Sequence, residues 1–109
     1  MTKIKEGKWP DPTIVASNVY RLLLDNERVR VFDVKFKPGE KAVMHSHPDH
    51  VVFVLGDGKV NLALPDGSSQ DVPLKEGQAM WIGAGPHETT NLGSKDVHLV
   101  VFELKEGQK

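Results

Sequence analysis

Glycine and proline recur along this chain at intervals too short for long helices. Its 109 residues include 10 glycines and 7 prolines. Turn sequences such as Lys37-Pro38-Gly39, Gly56-Asp57-Gly58 and Pro65-Asp66-Gly67 separate short segments rich in valine, leucine and phenylalanine. Because short apolar segments between regularly spaced turns are typical of β-sandwiches and barrels, the sequence predicts an all-β fold.

The apolar segments predict nine strands within a single domain. Their predicted ranges are 19–24, 28–36, 42–47, 50–55, 59–64, 70–74, 79–82, 86–91 and 96–104. Within the second segment the apolar phase slips between Val31 and Phe32, which indicates either a bulge or an inward-facing Arg30. Residues 1–18 are predicted to form an extended N-terminal arm, and residues 19–105 the barrel.

Composition excludes several classes of function. A net charge of −1 with dispersed lysines and arginines gives no electrostatic case for nucleic acid or an anionic membrane. The absence of cysteine excludes disulfides, thiolate metal sites and a cysteine nucleophile. No segment reaches the ~20 apolar residues of a membrane span, and the N-terminus has no apolar run typical of a signal peptide. We therefore expect a cytoplasmic protein.

Two histidines separated by one residue suggest a metal site. On a strand, His45 and His47 project from the same face, so both imidazoles can bind one ion. A third histidine, His87, shares its strand parity with Thr89 and Asn91, which can therefore line the same face.

Two sequence blocks, residues 39–58 and 77–91, resemble the two motifs of small single-domain cupins. The first motif, Gly-x5-His-x-His-x3/4-Glu-x6-Gly, is matched by Gly39, His45, His47 and Gly58, with Val51 at the glutamate position. The second motif, Gly-x5-Pro-x-Gly-x2-His-x3-Asn, is matched by Gly77, Gly85, His87 and Asn91. Gly83 stands at the proline position, and one residue fewer precedes the histidine.

The resemblance implies a small antiparallel jelly-roll β-barrel with a metal in its mouth. Carried over residue by residue, the ligands are His45, His47 and His87, while Val51 has no donor atom for a fourth bond. The implied cofactor is one divalent transition metal, Fe, Mn, Ni or Zn. Three neutral imidazoles leave such an ion its full charge and open positions for a substrate.

The remaining histidines have alternative interpretations. On a regular strand His50 faces away from His47, but Pro48-Asp49 interrupts the strand, and a bulge there would turn His50 inward as a fourth ligand. His98, within an apolar run, is interpreted as facing solvent or a partner subunit.

A pocket is predicted beside the metal ligands. By the motif frame, Val51 and Phe53 point into the barrel, and Met80 adds apolar lining. Asn91 contacts a substrate, orients His87, or serves as a turn residue before Leu92-Gly93. The equally apolar opposite faces of these strands predict a covering partner, so we expect a homodimer.

Three functions remain compatible with these features. The first is a mononuclear metalloenzyme acting on a small oxygenated or carboxylated molecule by dioxygenase-like or isomerase/lyase-like chemistry. The second is a non-catalytic, metal-poor barrel that binds a small metabolite. The third is a dimeric scaffold for another protein. The fold alone does not choose a substrate among them.

Overall fold

The structure, a computed structural model, describes residues 9–105 as one short helix and nine strands. Their bounds are α1 (Pro12–Val15), β1 (Tyr20–Asp25), β2 (Val29–Phe36), β3 (Lys41–His47), β4 (His50–Val54), β5 (Gly58–Ala63), β6 (Ser69–Leu74), β7 (Ala79–Ile82), β8 (Gly85–Asn91) and β9 (Val97–Leu104). The predicted all-β fold is confirmed. Each predicted strand is present with its ends displaced by at most one residue.

Two antiparallel sheets face each other across the core. The larger sheet has the strand order β1-β2-β9-β4-β7, and the smaller has the order β3-β8-β5-β6. Alternate residues of both sheets point inward, as in β2, where Phe32, Val34 and Phe36 are fully buried. This jelly-roll arrangement leaves polar inward positions concentrated on β3, β4, β8 and the end of β9.

The phase slip in β2 is explained by an inward-facing arginine. The pairing of β2 with β9 runs without a register shift from Val29 to Phe36. Arg30 therefore shares the inner face with Phe32 and pairs opposite Glu103. The irregularity lies in the neighbouring strand instead, between Leu22 and Leu24 of β1.

A bulge in β3 sets the phase of the histidine pair. Ala42 pairs with Thr89 and His45 with His87, so three steps on β3 match two on β8. Both Ala42 and His45 are buried although an odd number of residues separates them. The freed amide of Met44 donates to Glu88 Oε1 at 3.1 Å, which satisfies the backbone group that the bulge leaves unpaired.

The predicted orientation of Val51 and Phe53 is wrong. In β4 the inward residues are His50, Val52 and Val54, whereas Phe53 is 37% exposed on the outer face. The prediction extended the alternation of β3 through Pro48-Asp49. These two residues instead form the corner between β3 of one sheet and β4 of the other, so strand parity does not carry across.

On the outer face of the larger sheet, each of the five strands contributes a residue to one apolar row. Strand registers place Leu24, Val31, Phe102, Val51 and Trp81 in one continuous row. Trp81 is 60% exposed and Leu24 49%. We call this five-residue row the apolar row. Both faces of β4 are apolar, as predicted, but the inward and outward residues are exchanged: Val52 and Val54 face inward, and Val51 and Phe53 face outward.

The segment before β1 is only partly extended. Residues 1–8 of the predicted arm lie outside the described residues. Pro12–Val15 form one helical turn, with Pro12 at its first position and Asp11 as N-cap accepting from Thr13 N. The Pro10 carbonyl accepts from Ser46 N at 2.9 Å, so this segment is attached to β3.

Candidate metal centre

Three buried histidines converge at one end of the barrel. His45 and His87 are paired across β3 and β8, and His47 follows two residues later on the same face. One ring nitrogen of each lies within 4.8 Å of the others, close enough for one ion to bind all three. The structure thus brings together the three histidines that the sequence resemblance implies as ligands.

Hydrogen bonds fix which nitrogen faces the centre. His45 Nδ1 lies 2.6 Å from the Val43 carbonyl, and His47 Nδ1 lies 2.5 Å from Glu103 Oε2. Because a carbonyl and a carboxylate only accept, each Nδ1 carries the hydrogen and each Nε2 presents a lone pair. Metal-binding histidines characteristically have this outer hydrogen bond, which sets the ring orientation.

A charged network extends outward from His47. Glu103 is 1% exposed and accepts from Arg30 Nε at 3.0 Å and Nη2 at 2.7 Å. Arg30 Nη2 in turn donates to Asp11 Oδ1 at 2.6 Å. Burial raises the pKa of Glu103, while Arg30 opposes this shift. The buried carboxylate is therefore both paired and hydrogen-bonded, as its burial requires.

Burial keeps the imidazoles neutral. Desolvation, followed by the neighbouring histidines, lowers the pKa of His47 and that of His87 to about 2. The pKa of His45 is also lowered, chiefly by burial. Since only a neutral imidazole has a free lone pair for a metal, the protonation state suits ligation across the physiological pH range.

His50 joins the same cluster from the opposite sheet. It is 2% exposed, and its ring centroid lies 4.3 Å from that of His47 and 6.0 Å from that of His87. Its Nδ1 donates to the Pro48 carbonyl at 2.8 Å, which leaves the lone pair on its Nε2, as on that of His45 and His47. The inward position considered for His50 is the observed one, produced by the corner at residues 48–49.

Tyr20 adds a hydroxyl to the cluster. The Tyr20 oxygen lies 2.9 Å from His47 Nε2 and 3.5 Å from His45 Nε2. Because His47 Nδ1 carries its hydrogen, the hydroxyl is the donor to Nε2. Burial raises the pKa of Tyr20, so the phenol is neutral.

An apolar cavity of about 70 Å³ adjoins the histidines. Its polar lining comes from Tyr20, His50, His87 and Thr89. The remaining lining is apolar and comes from both sheets: Phe36, Val52, Val60, Leu62, Val72, Leu74, Met80, Ile82, Leu99 and Val101. The cavity therefore has a polar end at the candidate metal centre and an apolar body.

Of the four predicted pocket residues, only Met80 lines this cavity. Val51 and Phe53 lie on the outer face of β4. Asn91 is buried at a turn, where its Nδ2 donates to the carbonyls of Phe36 and Lys95 and its Oδ1 accepts from Gly93 N. Its turn interpretation thus describes its observed contacts.

His98 does not belong to the candidate metal centre. Its Nε2 lies 2.5 Å from Asp33 Oδ1, and its side chain is 38% exposed on the outer face of β9. The interpretation of His98 as an outward-facing histidine agrees with this position.

Sequence reasoning did not find Tyr20 and Glu103 as parts of the site. Tyr20 is the only tyrosine of the chain. Glu103 is an acid in a strand whose other inward residues, Val97, Leu99 and Val101, are apolar. The sequence feature that could have identified Glu103 is an acid at an inward position of an otherwise apolar strand, since acids are rarely buried without a partner such as Arg30.

Comparison with known proteins agrees with this architecture. The family model described as "Cupin domain" matches residues 32–103. The chain is 37% identical over 84 residues to the β-alanine degradation protein BauB of Pseudomonas aeruginosa, covering 75% of this chain and 87% of that protein. The chain therefore belongs to the cupin family.

Solved structures show the same fold. A cupin domain from Bordetella pertussis superposes with a TM-score of 0.75 and 30% identity, covering 80% of this chain and 92% of that one. The polyketide cyclase RemF of Streptomyces resistomycificus superposes with a TM-score of 0.60 and 25% identity, covering 83% and 66% of the two chains. Among the described residues, no helix has the length and apolar character to cross a membrane.

Proposed function

We propose that this cupin is a mononuclear metalloenzyme acting on a small oxygenated or carboxylated molecule. The observation that carries the proposal is the convergence of His45, His47 and His87, whose ligand atoms lie within 4.8 Å of one another. His50 is the proposed fourth ligand, since its ring centroid lies 4.3 Å from that of His47, its Nδ1 hydrogen is held by the Pro48 carbonyl, and Val51 faces outward.

The donor set fits a divalent transition metal. Neutral imidazoles suit Fe, Ni and Zn, and the outer hydrogen bonds of His45, His47 and His50 match those of metal-binding histidines. Mn, with its preference for oxygen ligands, fits this nitrogen-rich set less well. A bound ion would act as a Lewis acid on a substrate oxygen.

The protein's own groups would orient the substrate. The Tyr20 hydroxyl can donate to an oxygen held near His45 and His47. The apolar cavity would exclude water from the bound molecule, which strengthens electrostatic contacts there. The relative named for β-alanine degradation supports a small carboxylated substrate. Dioxygenase-like and isomerase/lyase-like reactions are the two classes we propose, and the resident metal selects between them.

Metal content tests the proposal. Untagged protein analysed by inductively coupled plasma mass spectrometry is expected to hold about one equivalent of one transition metal, because its three ligands are pre-organised. His45→Ala and His87→Ala are each expected to lose it. Iron would direct screening to oxygen-consuming reactions, and zinc or nickel to isomerase and lyase reactions.

Variants at the two remaining histidines separate a proposed ligand from a control. His50→Ala is expected to weaken metal binding while leaving the triad able to hold the ion. His98→Ala, on the outer face, is expected to retain full occupancy. Less than a tenth of an equivalent in the wild type, even after anaerobic loading with iron, contradicts the enzyme proposal.

We also propose that the protein is a homodimer joined through the apolar row. The row crosses five strands and includes the 60% exposed Trp81 and the 37% exposed Phe102. A contiguous apolar face of this kind is typical of an interface. Arg21 and Asp33, which lie on the same sheet, are paired within the chain, so these two charges would not repel their copies in a symmetric interface.

A further inference from the structure

We infer that the molecule bound at the proposed metal site has an uncharged aliphatic tail of a few carbons, which enters the apolar cavity. This inference rests on the proposed function for the oxygen-bearing head of the molecule. The tail itself is inferred from the cavity alone.

The cavity has a definite polarity. His87 belongs both to the metal cluster and to the cavity wall, and its neighbour in the cluster, His50, also lines the cavity, so the cavity adjoins the cluster. From His87 and Thr89 the lining changes to aliphatic side chains of both sheets, such as Val60, Leu74 and Val101. A molecule that directs its oxygen atoms to the histidines therefore directs its other end into hydrocarbon.

None of the described residues that line the cavity carries a carboxylate, an ammonium or a guanidinium group. The nearest charged network, Glu103 with Arg30, is already paired within the protein. Burying an ammonium group against aliphatic side chains without a partner is strongly unfavourable. An amino group on the tail is thus excluded by chemistry, even though the relative's name refers to β-alanine.

Size limits the tail to a few carbons. A volume of about 70 Å³ exceeds by several times the ~10–15 Å³ that one water requires on the same measure. The lining also includes half-buried side chains, Leu62, Val72, Met80 and Ile82. These four side chains come from β5, β6 and β7, whereas no residue of β3 lines the cavity among the described residues, so the tail is expected to pack against β5, β6 and β7.

Butanoate and β-alanine provide a matched pair of probes, because they have the same number of heavy atoms and differ only in a terminal methyl or ammonium group. Isothermal titration calorimetry on the zinc-loaded protein is expected to show butanoate binding at least ~10-fold more tightly. Affinity is also expected to rise about fourfold from propanoate to butanoate, as one more methylene is buried. Equal or tighter binding of β-alanine overturns the inference.

A variant reverses the expected preference. Val72→Asp places a carboxylate at a half-buried cavity position and is expected to favour β-alanine over butanoate. Leu92→Asp, at a position that is 47% exposed and outside the cavity lining, is the control and should keep the wild-type preference. Circular dichroism establishes that both variants fold. A folded Val72→Asp variant with unchanged preference contradicts a tail in this cavity.

Failure of the metal site is distinguished from failure of the inference. A protein that takes up no zinc contradicts the proposed function. In that case butan-1-ol and 3-aminopropan-1-ol replace the acids, since their hydroxyl can donate to a histidine Nε2 without a metal. Preference for butan-1-ol supports the apolar tail, and preference for the amino alcohol overturns it.

Discussion

Glu103 controls the orientation of one proposed metal ligand. Its carboxylate holds the Nδ1 hydrogen of His47, while Arg30 and, through it, Asp11 hold the carboxylate. Replacing Glu103 by glutamine keeps the size of the side chain but removes the charge that makes the His47 nitrogen a stronger donor to a metal.

Glu103→Gln is therefore expected to reduce metal affinity about 10- to 100-fold. Competition with a chelator of known affinity measures this change. Glu27→Gln, at an exposed position, is the matched control and should bind as the wild type does. An unchanged affinity in a folded Glu103→Gln protein would show that His47 needs no orienting carboxylate.

Acid should destabilise the metal-free protein through its buried histidines. The pKa of His47 and that of His87 lie near 2 in the folded state, against 6.5 for an unperturbed histidine. Below pH 6.5 the unfolded chain binds protons that the folded chain refuses, so stability falls as pH decreases from 6.5 toward 2. The two groups together are expected to contribute a slope of about 3 kcal/mol per pH unit.

Urea denaturation between pH 7.5 and 5 measures this slope on protein stripped of metal. His87→Gln removes one titrating group and is expected to reduce the slope by about 1.4 kcal/mol per pH unit. His98→Gln, on the outer face, serves as the comparison. A slope that His87→Gln leaves unchanged would mean that His87 does not resist protonation in the fold.

The sequence predicted the residues of the triad but not their outer partners. The spacing of His45 and His47 is local, so strand alternation was enough to place both rings on one face. The contacts of His47 with Glu103 and with Tyr20 join residues 56 and 27 positions apart. Such contacts depend on which strands are neighbours in space, and a single sequence contains no direct record of that.

At the scale of the strand, β5 begins at a position where only glycine fits. A Cβ at Gly58 would lie 2.9 Å from Cγ2 of Val97, which is fully buried at the start of β9. A methyl group there has no free space, so the close approach of the two strands requires the smallest residue.

Gly58→Ala is expected to destabilise the protein by about 1–3 kcal/mol. Gly56→Ala, two residues earlier with nothing within 4 Å of the added atom, is the matched control and should be much less harmful. Chemical denaturation of both variants gives the comparison. In a Val97→Ala background the cost of Gly58→Ala should shrink, and an undiminished cost would exclude the contact as its cause.

Strand boundaries were predictable because turn residues mark them, whereas strand phase was predictable only within an uninterrupted strand. In β2 the alternation indicated either a bulge or an inward-facing Arg30, and the structure has the second, with no register shift against β9. β4 illustrates the failure, because the corner at Pro48-Asp49 moves the chain to the other sheet and restarts the alternation at His50. Because the chain changes sheets at such a corner, the inward–outward alternation of one strand does not predict that of the next.

For the whole molecule, the apolar row predicts the oligomeric state. Light scattering coupled to size-exclusion chromatography is expected to give the mass of two chains. Trp81→Glu and Phe102→Glu, both within the row, are each expected to yield monomers, because a buried unpaired carboxylate is unfavourable. Leu64→Glu, 46% exposed on the β5–β6 turn, should leave the dimer intact. A monomeric wild type contradicts the proposal.

The contact of His47 with Glu103 also has a consequence for synthesis of the protein. A growing chain contains His45, His47 and His87 before it contains Glu103, the last buried residue of the described segment. An ion captured by that incomplete chain would meet a His47 imidazole whose tautomer Glu103 has not yet fixed. We therefore expect the proposed metal site to bind its ion selectively only after β9 has left the ribosome and has been inserted between β2 and β4.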